Sequence, residues 1–436
     1  MHRVESIIRD YHQSISQALE KQKFSILSSL EEHCLSALEN QNALTTEIMR
    51  EIDDLPSRIM LSWLRDEHGN LSESELIAIA KQYFKDDERW LEKLRHFRGL
   101  SKAVLLQVMT WQCEMRCTYC SIPKQSGRET TRAVLDLSAE LLFSAPQDNI
   151  EMRYFGGEPL LEWEKIQYSV ESMMNFQQHS DRCRNKKLSF LITSNGAKLT
   201  EEKMRWISQY PISLQLALDG LPEAQNRYRP LYNLEGNSYD YTAIDKAELL
   251  QHYNIPHSIV LVIHPARVEH MLDDFRHIVE KGFEVIQINW AHNNIWHTHQ
   301  IEKFAKGLYQ LSNFLHDRWA QGRGPKLLNL REILRKVRAP REITVDWDGK
   351  IYANNIFLFR PHTQKSMFLG ELQDGKNWLH YKLNYFSGLE LDSQSLAEKV
   401  FDNNAQVGTV FNSWIRWMVK QGIPEVDSFI STTYRA

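Results

Sequence analysis

The sequence lacks the features that assign a chain quickly. No apolar run approaches the ~18–20 residues a membrane-spanning helix needs. The opening stretch, MHRVESIIRDYHQSI, mixes acidic and basic residues and shows no signal-peptide core. Neither charge dominates: 52 Lys and Arg stand against 56 Asp and Glu, a formal net charge of −4. That balance gives no electrostatic case for nucleic acid or an anionic membrane. Internal repeats and low-complexity tracts are missing too. Cysteine is scarce, five in 436 residues; an odd number in a long chain with no secretion signal argues against a disulfide framework. What is present is 42% hydrophobic and 25% charged residues, ordinary for a globular protein of about three domains. The twelve tryptophans are scattered and read as core residues rather than a stacking platform.

Residues 1–98 read as helical. Ile7, Ile8, Tyr11, Ile15 and Leu19 recur at helical spacing, and Ser72 to Glu75 has the form of a capping box. From residue 99 the rhythm changes. Strand-type runs at 103–109, 150–155, 188–193, 212–218, 258–263 and 285–290 alternate with amphipathic stretches of helix length. Such alternation predicts parallel βαβ units in a doubly wound sheet or a barrel, with functional residues at the C-terminal ends of the strands. The polar motifs obey that rule: a cysteine cluster follows the first run, Gly-Gly-Glu-Pro the second, Thr-Ser-Asn-Gly the third and Asp-Gly the fourth. Residues 326–436 hold one clear hairpin, EITVDWDGKIYANNIFLF, turning at Asp348-Gly349.

Chemistry enters with Cys113, Cys117 and Cys120, a C-x3-C-x2-C triplet. Three thiolates on a tight loop suit a soft centre, zinc or an iron–sulfur cluster. A closed structural zinc site wants four ligands, and neither Cys34 nor Cys183 is near in sequence. Three cysteines on a four-iron cluster leave one iron open to a substrate or cofactor.

The triplet, with Tyr119 before its last cysteine and Gly156-Gly157-Glu158-Pro159 after it, resembles the radical S-adenosylmethionine (SAM) superfamily. The resemblance implies one [4Fe-4S] cluster on Cys113, Cys117 and Cys120 and SAM chelated to its unique iron. It also implies reductive cleavage of SAM to a 5′-deoxyadenosyl radical that abstracts a substrate hydrogen. Gly156, Gly157, Glu158 and Pro159 resemble the turn that receives the methionine amino group. Ser194, Asn195 and Gly196 resemble the motif lining the SAM pocket, Asp219 and Arg229 the stretch whose arginine pairs with the SAM carboxylate, and Tyr119 would lie near the adenine. The pattern is that of the peptide-modifying and anaerobic sulfatase-maturase-like subgroup with a SPASM or twitch extension.

Several positions depart from that pattern. Ala217 replaces a serine, Gln225-Asn226 a His-Asp pair, and Phe155 a glutamine. Asn354 and Asn355 occupy the region where the extension's first auxiliary cluster would begin, and no cysteine follows residue 183. The scaffold is kept and the auxiliary cluster lost, which favours a redox-neutral outcome. Among other candidates, His292, His297 and His299 follow the sixth strand and read as loop histidines, with a metal or proton-transfer role as the sharper alternative. Cys183, in HSDRCRNKK, reads as an exposed thiol and Cys34 as core.

The expected architecture is α/β: a helical N-terminal domain at 1–98, a partial (β/α)6 TIM-like barrel at 99–325, and a small α+β domain at 326–436. The expected function is radical SAM chemistry on a peptide of natural-product type, with the N-terminal domain as a docking surface; a small-molecule intermediate such as a sugar, nucleoside or amino acid is the alternative. No residue stands out as the one that works on the substrate. A flavodoxin or ferredoxin would supply electrons in a cytoplasmic setting, with no nucleic-acid or membrane partner.

Overall fold

The computed structural model describes residues 102–145, 147–180, 183–232, 235–292, 294–330, 342–353, 355–359, 364–376, 378, 381 and most of 407–418. The expected helical segment at 1–98 lies outside the described residues, as does Asn354.

Eight-residue strand β1 (Ala103–Thr110) is buried along its whole length. Its side chains alternate between two cores. Leu105 and Met109 enter the main core beneath the helices, whereas Leu106 and Val108 enter a second core with Trp111, Ile122, Tyr352 and Phe357. Then follow helix α1 (Arg132–Phe143), β2 (Asn149–Gly156), α2 (Trp163–His179), β3 (Lys187–Ser194), α3 (Glu201–Ile207) and β4 (Ile212–Ala217). The second half runs through α4 (Pro222–Tyr228), α5 (Ala247–His252), β5 (His257–Ile263), α6 (Met271–Glu280), β6 (Val285–Trp290), α7 (Thr298–Ala320) and β7 (Lys326–Leu327). Local chemistry sets the helix starts. Thr131 caps α1 by accepting the Val134 N–H at 3.3 Å, and Thr200 caps α3 by accepting the Lys203 N–H at 3.3 Å. Leu135, Ser138, Leu141 and Leu142 then form the buried stripe of α1.

The expected hairpin is present as β8 (Glu342–Val345) and β9 (Lys350–Tyr352), with β10 (Phe368–Glu371) antiparallel beside β9. Strand β8 pairs in parallel with β1, so a single ten-stranded sheet runs β10-β9-β8-β1-β2-β3-β4-β5-β6-β7. The six predicted strand–helix units thus form successive parallel neighbours, as a partial TIM-like barrel requires. Among the described residues no helix is long and apolar enough to cross a membrane.

Cys183 corrects an expectation. It is buried, 3% exposed, within the main core. The charged residues around it suggest a surface thiol. However, the tight turn in which the Cys183 N–H reaches Ser180 O, 3.0 Å, tucks this one side chain inward.

Candidate active site

The loop leaving β1 carries the three cysteines, and two sides of the fold pin its backbone. On one side, the Arg116 N–H donates to Pro230 O (2.8 Å), Thr118 N–H to Tyr228 O (2.9 Å) and Tyr232 N–H to Glu114 O (2.6 Å). On the other, the Trp111 indole donates to Asp346 Oδ1 at 2.9 Å, and Ser121 Oγ donates to Leu358 O at 3.0 Å.

The turn after β2 presses against this loop. Gly157 N–H donates to Thr110 O at 2.7 Å and Glu158 N–H to Gln112 O at 2.8 Å. A Cβ on Gly157 would lie 2.0 Å from Gln112 O, so only glycine permits the approach. The pair of glycines therefore brings this turn onto the cysteine loop's own backbone. Glu158 is fully buried. Its Oε1 accepts from Ser194 Oγ (2.8 Å) and Leu160 N (3.0 Å), and its Oε2 from Asn195 N (2.8 Å). The carboxylate thus clamps the end of β2 to the end of β3. Burial and the nearby Glu114 charge push its pKa up to about 7. Pro159 opens the short helical turn that follows, and Gly196 N–H donates to Ser194 Oγ at 2.9 Å.

Each sulfur faces an N–H donor from a different source. Asn195 Nδ2 is 3.7 Å from Cys113 Sγ, Arg229 Nη1 3.8 Å from Cys117 Sγ, and Lys124 Nζ 2.9 Å from Cys120 Sγ. Met115 N–H adds a contact to Cys113 Sγ at 3.4 Å. Burial pushes the Cys113 thiol up to about 12 and raises Cys117 as well. Desolvated sulfurs of this kind become thiolates when a positive centre binds them. Among the described residues no three His, Cys, Asp or Glu side chains gather around one point as they stand. Three soft donors, each with an N–H beside its sulfur, suit the inorganic sulfur core of an iron–sulfur cluster.

Asp219, two residues beyond β4, is the second hub. Its Oδ2 accepts from Tyr119 OH at 2.6 Å, and its Oδ1 stands 3.0 Å from Arg229 Nε. That last contact lacks hydrogen-bond alignment, since Arg229 Nε has no hydrogen-bond partner; it is an ion pair. The Arg229 guanidinium also lies over the Tyr119 ring, 5.3 Å from its centroid. Gln225, at the departure from the expected histidine, accepts the Asp219 N–H at 2.9 Å, and Asn226 Oδ1 accepts the Tyr239 N–H at 2.9 Å. Tyr119, Asp219 and Arg229 are thus brought together, as are Glu158, Ser194 and Asn195, and both groups border the sulfurs. The three loop histidines are not drawn in. His297 caps α7 together with Gln300, and the His292 ring packs 4.6 Å from Trp290. Two residues escape sequence reasoning: Lys124, a basic side chain outside the triplet, and Glu114, hidden among its spacer positions.

Comparison with known proteins agrees with this geometry. Residues 108–279 match the Radical SAM superfamily. A cysteine-type anaerobic sulfatase-maturating enzyme of Clostridium novyi is 21% identical over 194 residues, 43% of this chain and 50% of that enzyme. The radical SAM cyclopropyl synthase TigE of Paramaledivibacter caminithermalis is 22% identical over 240 residues, 48% of each. The chain therefore spans about half the length of the curated relatives it matches. A solved structure described as native anSMEcpe with bound AdoMet superposes with a TM-score of 0.60 at 16% identity, covering 75% of this chain and 100% of that one; at this identity the likeness concerns the fold. The superfamily to which the match points uses a [4Fe-4S] cluster and SAM. With the cysteine loop at the head of a parallel half-barrel and the matched segment beginning inside β1, residues 108–279 of this chain are a radical SAM domain.

Proposed function

We propose that this protein is a radical SAM enzyme that acts on a peptide. The observation that carries the reading is that the three sulfurs of the loop leaving β1 each lie beside an N–H donor, from Asn195, Arg229 and Lys124 respectively. A [4Fe-4S] cluster held by Cys113, Cys117 and Cys120 would supply the one-electron reduction that splits SAM into methionine and a hydrogen-abstracting 5′-deoxyadenosyl fragment. The chain's own residues do the rest. Cys113, Cys117 and Cys120 hold the cluster. Lys124 and Arg229 offset the negative charge of the thiolates in a half-buried setting. Arg229, oriented by Asp219 and Tyr119, presents a planar fork suited to the SAM carboxylate. Glu158 fixes Ser194 and Asn195 against the cysteine loop, so the SAM side of the site is preorganised.

The substrate reading draws on the sheet's inner face. Half-buried Thr193, Gln215, Gln287 and Asn289 form a chain of hydrogen bonds of 3.2, 3.1 and 3.2 Å. Side-chain amides of this kind both donate to and accept from a peptide backbone. A related fold is described with bound AdoMet and a Kp18Cys peptide, at a TM-score of 0.58. The test is anaerobic: dithionite-reduced, reconstituted protein forms 5′-deoxyadenosine from SAM, and Cys117→Ala abolishes it. Turnover retained in the variant removes the triplet from the mechanism. Mass shifts on candidate peptides incubated in heavy water then decide the substrate class, and a peptide pool left unchanged while a small molecule turns over refutes the peptide reading.

A further inference from the structure

Each of the three sulfurs lies beside a side-chain nitrogen, but only one of those nitrogens can act as a nucleophile. Asn195 brings an amide to Cys113 and Arg229 a guanidinium to Cys117, and both nitrogens are tied up in resonance. Lys124 brings a primary amine to Cys120, with Nζ 2.9 Å from Sγ.

The backbone imposes this contact. Lys124 has φ +55°, a left-handed conformation that a residue with a long side chain adopts only where its surroundings demand it. Before it, Ile122 is buried in the apolar core under β1, and Ser121 Oγ donates to Leu358 O at 3.0 Å. After it, Arg128 O accepts the Trp111 N–H at 2.9 Å. The left-handed turn between these anchors folds the lysine back onto the cysteine four positions earlier. Pro123 and residues 125–127 are exposed, whereas Cys120 and Lys124 are half-buried, so a small solute can reach the pair but a protein cannot enclose it.

We propose that Cys120 and Lys124 form a reversible sulfur–nitrogen bond, a sulfenamide, when hydrogen peroxide meets the loop after its cluster has been lost. The Cys120 thiolate attacks the peroxide, the O–O bond breaks, and the leaving hydroxide takes a proton from the Lys124 ammonium to depart as water. The freed amine then attacks the sulfenic sulfur. An S–N bond forms, the S–O bond breaks, and a second water leaves with one of the amine's protons. Overall the thiolate, the ammonium and one peroxide give the sulfenamide and two waters; sulfur loses two electrons and the peroxide gains them. Sulfenic acids condense with a nearby nitrogen in this way, and the product lies below the irreversible sulfinic acid. A thiol reopens the bond, so the pair preserves a cluster ligand through oxidation. This consequence rests on the radical SAM reading above; the bond itself does not.

The test uses the full chain, depleted of its cluster by an anaerobic chelator and then treated with hydrogen peroxide. Lysine acylation, proteolysis and mass spectrometry read the state of both residues. The expected product is a peptide containing 120–124 that has lost two hydrogens, with Lys124 resistant to acylation until dithiothreitol is added. A Lys124 that acylates freely while Cys120 is oxidised overturns the proposal. So does a loss of two hydrogens that joins Cys120 to Cys113 or Cys117. Both results come from the unaltered protein and need no variant to fold. Lys124→Met and Lys124→Arg then separate the bond from the charge. Each should accumulate several-fold more Cys120 sulfinic acid and lose the iron loading that dithiothreitol restores to the unaltered protein. An arginine that protects as well as the lysine shows that charge suffices and refutes the bond. Unaltered protein that never loads a cluster refutes the radical SAM reading and leaves the bond standing; a cluster that loads, with the pair unbridged after depletion and peroxide, refutes only the bond.

Discussion

Gly157→Ala isolates the contact on which the site depends. The position has no Cβ, and an added one would meet Gln112 O at 2.0 Å, Gln112 C at 2.6 Å and Trp111 O at 2.8 Å. These are backbone atoms and cannot swing aside. A carbon and an oxygen settle at about 3.3 Å or more, so the turn must withdraw by more than ~1 Å. The hydrogen bonds from Gly157 N to Thr110 O (2.7 Å) and Glu158 N to Gln112 O (2.8 Å) would then open. Each buried group left unpaired costs about 1–3 kcal/mol, so for two such bonds the loss is about 2–6 kcal/mol. The same withdrawal drags Glu158 from Ser194 and Asn195, and hence Asn195 from Cys113. Urea unfolding of the apoprotein, followed by iron and sulfide content after reconstitution, reads both effects. Gly127→Ala is the control. Gly127 has φ +74° but open space around a Cβ, so only a backbone cost of about 1 kcal/mol is expected, with cluster loading intact. A Gly157→Ala protein with an unshifted midpoint and full iron content would refute the argument that this close approach assembles the site.

Three further outcomes are expected. Reconstituted protein should carry about four irons per chain, since one three-cysteine loop is present and no cysteine follows residue 183; eight or twelve irons by metal analysis would show ligands of another kind. Lys124→Met removes the ammonium 2.9 Å from Cys120 Sγ and should lower the cluster potential by tens of millivolts, on the order expected for sulfur hydrogen bonds and local charge; an unchanged spectroelectrochemical midpoint would remove Lys124 from the site. Burial raises the Asp346 carboxyl from 3.8 to about 6, so the folded state holds that proton more tightly than the unfolded chain. The stability it contributes is present below about pH 4 and lost as pH rises through 6, a swing on the order of 2–3 kcal/mol. Asp346→Asn keeps an Oδ1 for the Trp111 and Trp347 N–H groups and should flatten that dependence, gaining on the parent at pH 7.5; parallel urea midpoints from pH 4.5 to 7.5 would contradict it.

The parallel strands and the hairpin were legible because each announces itself locally. The runs at 103–109 and 150–155 have the length and residue types of strands, and Asp348-Gly349 is a turn on its own chemistry. Grouping the motifs by strand end also worked, since parallel connections deliver every loop to the same rim. What escaped was anything settled by distant neighbours. Nothing around Glu342–Val345 says that it joins β1, 235 residues before Asp346 in the case of Trp111. Nothing in C-x3-C marks Glu114, and only the fold of 228–232 across that loop shows it buried. The hydrogen-bond partners of Glu158 were likewise hidden, because its donors come from residues 160, 194 and 195. Cys183 was misread for the opposite reason: its charged neighbours describe their own exposure and not that of the one side chain turned inward.

The hairpin and the cysteine loop behave physically as a single unit. Beyond the Trp111–Asp346 bond, the Arg128 guanidinium lies 4.6 Å from the Trp111 ring and 5.7 Å from the Trp347 ring, a cation held between two aromatic faces. Beneath them Leu106, Val108 and Ile122 meet Tyr352, Phe357, Leu358 and Met367 in a shared apolar core. A loop with little regular structure cannot hold three thiols in place by itself, because each unconstrained residue retains its backbone freedom. Here the chain segment at 228–232 restrains one flank and the hairpin the other. Among the described residues the second flank holds the loop by packing, the buried indole–carboxylate bond and the Ser121–Leu358 hydrogen bond. Order in the cluster loop is thereby tied to the integrity of the apolar core under β1, so damage at Tyr352 or Phe357 should reach the cysteines without touching them.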